Sequence, residues 1–209
     1  NGKLAMMPAD VGSDLAQVQR FQRAHAGFEL DLKGLETEVE TMKEAAATLS
    51  EQHPNKRGGI DATRAELVDC WNALEAKSTV RGGMLDESGQ LQKFLSDATT
   101  WGNWMNQLTD AITEVKLADD VATAEAHLDR HNDQRADKDT RAQNDIIERG
   151  SAMVVAGHFA VARVEPQIGL LQATQDRLEQ VWSSRYLEFE QCLNLRKLEG
   201  EANRIRSVL

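Results

Sequence analysis

The stretch IDATRAELVDCWNALEAKSTVRGGMLDESGQLQKFLSDATTWGNWMNQLTDAITEV, residues 60–115, contains no proline and carries apolar side chains at helical spacing throughout. Trp71, Leu74, Leu85, Leu91, Phe94, Ala98, Trp101, Met105, Leu108, Ile112 and Val115 mostly step by three and four, which lines them along one stripe of a helix. Read as one helix, the stretch is roughly 80 Å long at 1.5 Å per residue, far beyond an ordinary globular helix. Such a helix needs different partners at its two ends, and the flanking sequence supplies them. Gly82, Gly83 and Gly89 lie where the phase of the stripe shifts. Each glycine costs a helix interior up to about 1 kcal/mol relative to alanine. The region therefore reads as a junction between two bundles, helical but softer than its flanks, with a true break as the alternative.

Before it, Asp14 stands near the start of a helix whose heptad is nearly unbroken: Val18, Phe21, His25, Phe28, Leu32, Leu35, Val39, Met42, Ala46 and Leu49. The first seven residues are weakly patterned, and Pro8 begins a turn. His53-Pro54 ends the heptad run, Asn55 to Gly59 reads as a loop, and Asp61 or Thr63 is placed to cap the helix that follows. After it, Lys116 to Asp120 is a polar turn. A third helical region then reaches about Val155. Its inward positions beyond Leu128 and His131 fall on Gln134, Lys138 and Arg141, and residues 129–149 hold six acids and five bases. Gly157 to Pro166 reads as a loop. A last long helix carries Ile168, Leu171, Leu178, Trp182, Phe189, Cys192, Leu195, Leu198, Ala202, Ile205 and Val208.

The totals agree with an all-helical chain. Among 209 residues there are 3 prolines, 5% aromatic and 28% charged residues. The net charge of −10 disfavours nucleic acid and leaves room for a basic protein partner. No uncharged run is long enough to span a membrane, and the start of the chain has no secretory pattern. Cys70 and Cys192 are isolated within helical patterns and read as free thiols in a reducing compartment.

Self-comparison exposes a repeat. VQRFQRAHAGFELD (18–31) aligns with AEAHLDRHNDQRAD (124–137), setting His25 on His131 at an offset of 106. LQKFLSDA (91–98) aligns with LRKLEGEA (195–202) at an offset of 104. Two unrelated segments agreeing within two residues mark a real period. Three helices per period, with the last continuing into the next unit, describe three-helix bundles repeated in a line.

At this point the sequence resembles a known family. FLSDATTWGNWM (94–105) looks like the first-helix motif of spectrin repeats, DLAQVQRFQRAHAGFELDL (14–32) like the second-helix motif with its His and following Phe, and ELVDCWNAL (66–74) like the third-helix motif built on Trp71. The resemblance implies tandem three-helix-bundle spectrin repeats in a rod, joined by a continuous helix. Residues 1–85 would be the second and third helices of one repeat, 86–190 a complete repeat, and 191–209 the start of the first helix of another. The third-helix tryptophan expected at Gln175 stands one heptad later, at Trp182. That displacement, Gly157-His158-Phe159 and LDESGQLQKF (85–94) resemble the ankyrin-binding repeats of β-spectrins. The resemblance thus implies ankyrin as a partner, alongside a second spectrin chain and the actin-linked membrane skeleton at the cytoplasmic face of the plasma membrane. The alternative is a plain spacer from a spectrin or a plakin-like scaffold.

Several residues invite a functional reading. His25 and His131 occupy inward heptad positions, where a histidine is more commonly a hydrogen-bonded core residue than a metal ligand. His127 and His131 have the i, i+4 spacing of a helical metal pair but no convincing third ligand. No cofactor is expected. Trp71, Trp101, Trp104 and Trp182 read as core anchors. No Ser/His/Asp or Cys/His arrangement can be argued, and Arg81-Gly82-Gly83 lacks the strand and lysine of a phosphate loop, so no enzyme is expected. From Leu85 to Asp120 seven acids face two lysines. Asp86, Glu87, Asp97, Asp110 and Glu114 are the candidate docking residues for a basic partner, by charge steering that weakens with salt.

Overall fold

The computed structural model describes residues 10–136 and 140–208, with side chains omitted for 136 and 140–143. The expectations for Pro8, for Lys138 and for the Arg141 side chain fall outside the described part. All regular structure there is helical: α1 (Leu15–Gln52), α2 (Arg57–Glu114), α3 (Val121–Ala136), α4 (Thr140–Val155) and α5 (Val161–Arg206). Two compact units divide between Lys93 and Phe94, within α2.

The helix starts follow local chemistry. Asp14 caps α1: its carboxylate accepts the Gln17 amide at 2.8 Å, while Gln17 Oε1 accepts the Ser13 amide at 3.0 Å. The α2 start differs from expectation. Only residues 53–56 form the turn, and Gly58 and Gly59 are already helical. The Gly59 and Ile60 amides both bond to the Lys56 carbonyl, which starts the helix ahead of Asp61 and Thr63. Asp61 instead accepts the Ser50 hydroxyl at 2.9 Å, and the Thr63 hydroxyl donates to the Gly59 carbonyl at 3.1 Å. Pro166 likewise lies inside α5. As the sixth residue of that helix it lies past the first turn, so it forfeits the bond to Ala162 and sets its ring against the same carbonyl, a cost the rest of the helix carries. The α4 end closes on Gly157 at φ +69°, where the His158 amide reaches Met153 O at 3.0 Å and the Gly157 amide reaches Val154 O at 3.1 Å.

The helix α2 is uninterrupted for 58 residues, about 87 Å at the helical rise. Gly82, Gly83 and Gly89 all lie within it. The break weighed as an alternative does not occur.

In the first unit α1 and the early part of α2 form an antiparallel hairpin. Ser50 meets Asp61 near the turn, and Gln22 Nε2 reaches Leu85 O at 3.3 Å far from it. Val18, His25 and Leu32 are buried at heptad spacing on α1, and Ser78, Leu85, Ser88, Leu91 and Gln92 are buried on α2. This core is unusually polar. Met42 and Leu49, expected inward, are exposed, because the buried contacts of α1 run chiefly through its first half.

In the second unit three helical legs pack together. Asp97 of α2 meets Arg149 of α4, His131 of α3 meets Trp182 of α5, and Ile112 of α2 meets Arg185 of α5. The middle leg is α3 followed by α4, and α5 returns parallel to α2. Phe94, Ala98, Met105 and Ile112 are buried on α2. Ile146 and Met153 are buried on α4, and Val164, Leu171, Leu178, Trp182, Phe189 and Cys192 on α5. On α4, Gly150 is buried so closely that an added Cβ would lie 2.7 Å from the Phe94 ring and 3.0 Å from Ile168. Helices α2, α4 and α5 therefore converge on that glycine.

Candidate interaction surface

Of the five acids proposed for docking, Asp86 and Glu87 lie in the first unit and Asp97, Asp110 and Glu114 in the second. Asp86 and Glu87 are exposed in the first unit, where Asp86 accepts Gln22 Nε2 at 3.3 Å. In the second unit Asp97 is half-buried in an ion pair with Arg149 at 2.6 Å. Its charge is committed to holding α2 against α4, so it departs from the docking set. Asp110 and Glu114 are exposed and, four residues apart, lie side by side on α2.

The tryptophans divide as well. Trp182 is completely buried, Trp71 and Trp101 are partly buried, and Trp104 is 38% exposed. Trp104 therefore departs from its expected role as a core anchor. Met105, next to it, takes the fully buried position, and Trp104 lies against Trp101 with ring centroids 4.7 Å apart.

Both heptad histidines are buried, with different partners. His25 Nε2 makes no hydrogen bond among the described residues and stands 3.4 Å from Glu29 Oε1. Gly82 leaves it room, since a Cβ there would approach Nε2 to 3.3 Å. His131 Nε2 is 2.9 Å from Trp182 O, and Trp182 Nε1 donates to His131 O at 3.3 Å. A carbonyl only accepts, so Nε2 of His131 carries the proton. Its ring also packs on Tyr186 and Phe189. Burial, with Arg135 and Arg185 nearby, holds its pKa below the ordinary imidazole value, against the raising effect of the Trp182 carbonyl.

Residue Arg185 is a feature that the apolar pattern missed. It lies on the heptad Val164, Leu171, Leu178, Cys192, seven residues from each neighbour, so a lone arginine on an apolar stripe was the available signal. Its Nε donates to Ile112 O at 3.2 Å and its Nη2 to Val115 O. The guanidinium also pairs with Glu188 and stacks 4.7 Å over Phe189. One turn and more along, Cys192 Sγ and Arg196 Nε both donate to Ala118 O, at 3.4 and 3.1 Å. Helix α5 thereby supplies donors to the carbonyls at the end of α2 and in the following loop, where a cation also complements the helix dipole. At the other side of that loop Asp120 accepts the Thr123 amide at 2.9 Å, and that bond leads in lowering its pKa.

These side chains bind helices to one another. His127 and His131 line a cavity of about 20 Å³ with Arg130, Gln134, Ile112, Val115 and Phe189. Among the described residues no group of three His, Cys, Asp or Glu is placed to hold a metal, and no helix is long and apolar enough to cross a membrane.

A family model described as spectrin repeat matches residues 2–87 and 89–191. The chain is 31% identical over 208 residues to spectrin alpha chain, erythrocytic 1, of Mus musculus, covering 97% of this chain and 8% of that one. It is 29% identical over 199 residues to spectrin beta chain, non-erythrocytic 5, of Homo sapiens, covering 94% and 5%. With the spectrin beta chain of Drosophila melanogaster the identity is 24% over 196 residues, covering 92% and 9%. Alpha and beta chains are thus both similar to it, and it spans less than a tenth of the length of these relatives.

Proposed function

Because the chain belongs to the spectrin repeat family, we propose that it is a structural segment of a spectrin rod, an elastic spacer in an actin-linked skeleton at the inner face of the plasma membrane. The observation that carries this reading is α2, which runs unbroken from Arg57 to Glu114 and takes part in both compact units. A shared helix passes tension and twist from one unit to the next, while its glycines lower the cost of bending. The repeat division lies near residue 86, and a second spectrin chain alongside is the natural lateral partner.

The sharper part of the proposal is that the segment docks ankyrin through exposed acids on α2. The negative balance from Leu85 to Asp120 supports it. The docking residues are Asp86, Glu87, Asp110 and Glu114; Asp97 contributes by fixing the bundle. The test is binding to the spectrin-binding domain of ankyrin at low and moderate salt, using the chain and its charge reversals to lysine at Asp86 and Glu87 or at Asp110 and Glu114. Salt-sensitive binding that reversal abolishes supports docking. A folded helical chain that binds at neither salt concentration is a plain spacer, of spectrin or of a plakin-like scaffold.

A further inference from the structure

The histidine at position 131 is 3% exposed, and its surroundings suit only one of its charge states. The Nε2 proton is spent on Trp182 O. Trp182, Tyr186 and Phe189 of α5 pack around the ring. The adjoining cavity is lined from α2 by Ile112 and Val115, which carry no charge. From α3 it is lined by His127, Arg130 and Gln134, with Arg135 one turn on and paired to Glu179 of α5 at 3.3 Å. From α5, Arg185 lies over Phe189 and pairs with Glu188. The cations nearest the ring offer no lone pair, and Glu179 and Glu188 pair with Arg135 and Arg185.

We infer that the His131–Trp182 pair is an acid-sensitive latch: neutral, it clamps α3 to α5, and protonation of the ring loosens this bundle. Adding a proton at Nδ1 puts a full charge on a ring packed among Trp182, Tyr186 and Phe189 and near Arg135 and Arg185. The reciprocal bonds to Trp182 then hold a charged ring that water would solvate better. The unfolded chain accepts the proton at the ordinary imidazole value and the folded chain only at a lower one. Stability is therefore complete above about pH 6.5 and declines below it, until the folded ring also titrates. The consequence for a spacer is a bundle that softens on mild acidification while its salt bridges remain ionised.

The test is an NMR titration of the histidine rings in the whole chain, with His131 assigned by His131→Gln, alongside thermal melts of both proteins at pH 7.5 and 5.5. The latch predicts a His131 midpoint below that of an exposed histidine in the same spectrum. It also predicts a melting temperature that falls by several degrees more in the parent than in His131→Gln, whose amide can still donate to Trp182 O without titrating. A His131 midpoint at or above the exposed value overturns the inference, because His127 or Gln134 would then be accepting the proton. Equal acid shifts in the two proteins overturn it too. If His131→Gln does not fold, the ring is assigned instead by its through-space contacts with Trp182 and Phe189, and its midpoint in the parent decides.

Discussion

At the scale of single residues, identical amino acids carry opposite consequences in this chain. Gly150 sits where three helices meet, so Gly150→Ala forces the Phe94 ring or Ile168 aside and should cost about 1–3 kcal/mol despite alanine's better helix propensity. Gly83 has nothing within 4 Å of a new Cβ, so Gly83→Ala should stabilise by up to about 1 kcal/mol. Paired urea melts decide both, and a gain for Gly150→Ala would contradict the close approach. The tryptophans separate in the same way. Trp182→Ala should cost about 3–5 kcal/mol, as expected for a fully buried ring. The penalty at the partly buried Trp71 should be visibly smaller, although the heptad alone suggests equal anchors. Equal losses on denaturant unfolding would show that Trp71 is buried more deeply than described.

The element scale shows what the sequence could and could not reveal. Helix periodicity made α1, α2 and α5 legible almost along their lengths, and His25 and His131, which the repeat aligns, are both buried. Boundaries were harder. Glycines 58 and 59 and Pro166 read as loop residues by composition, yet neighbouring carbonyls accept enough amides to carry the helix across them. Trp104 was misread because positions 101, 104, 105 and 108 form two adjacent stripes, and only one faces inward. Asp97 was misread because its partner, Arg149, lies on another helix, and charge counting along one element is blind to that. The arginine clamp was recoverable in principle, from Arg185 interrupting an apolar heptad. Its removal should show at this scale: Arg185→Ala strips donors from Ile112 O and Val115 O and should cost roughly 1.5–3 kcal/mol. Amide exchange should quicken in residues 112–120, close to the lost bonds. Unchanged exchange there would mean that the loop is held without the guanidinium.

In the whole molecule one helix, α2, belongs to two compact units. The first unit is a helical hairpin with an unusually polar core and the second a three-legged bundle, and the proposed rod role depends on α2 being unbroken between them. Three glycines between residues 82 and 89 are the place where that continuity could fail, because each favours the unfolded chain. Hydrogen exchange of the intact chain, resolved across residues 78–95, tests it most directly. A shared helix predicts amides protected throughout, with a shallow minimum at Gly82–Gly89 where exchange is still at least tenfold slower than in the unfolded chain, on the order of 1.4 kcal/mol of opening free energy. Exchange at the unfolded-chain rate over several consecutive residues there would show two helices joined by a linker, and would contradict the shared helix.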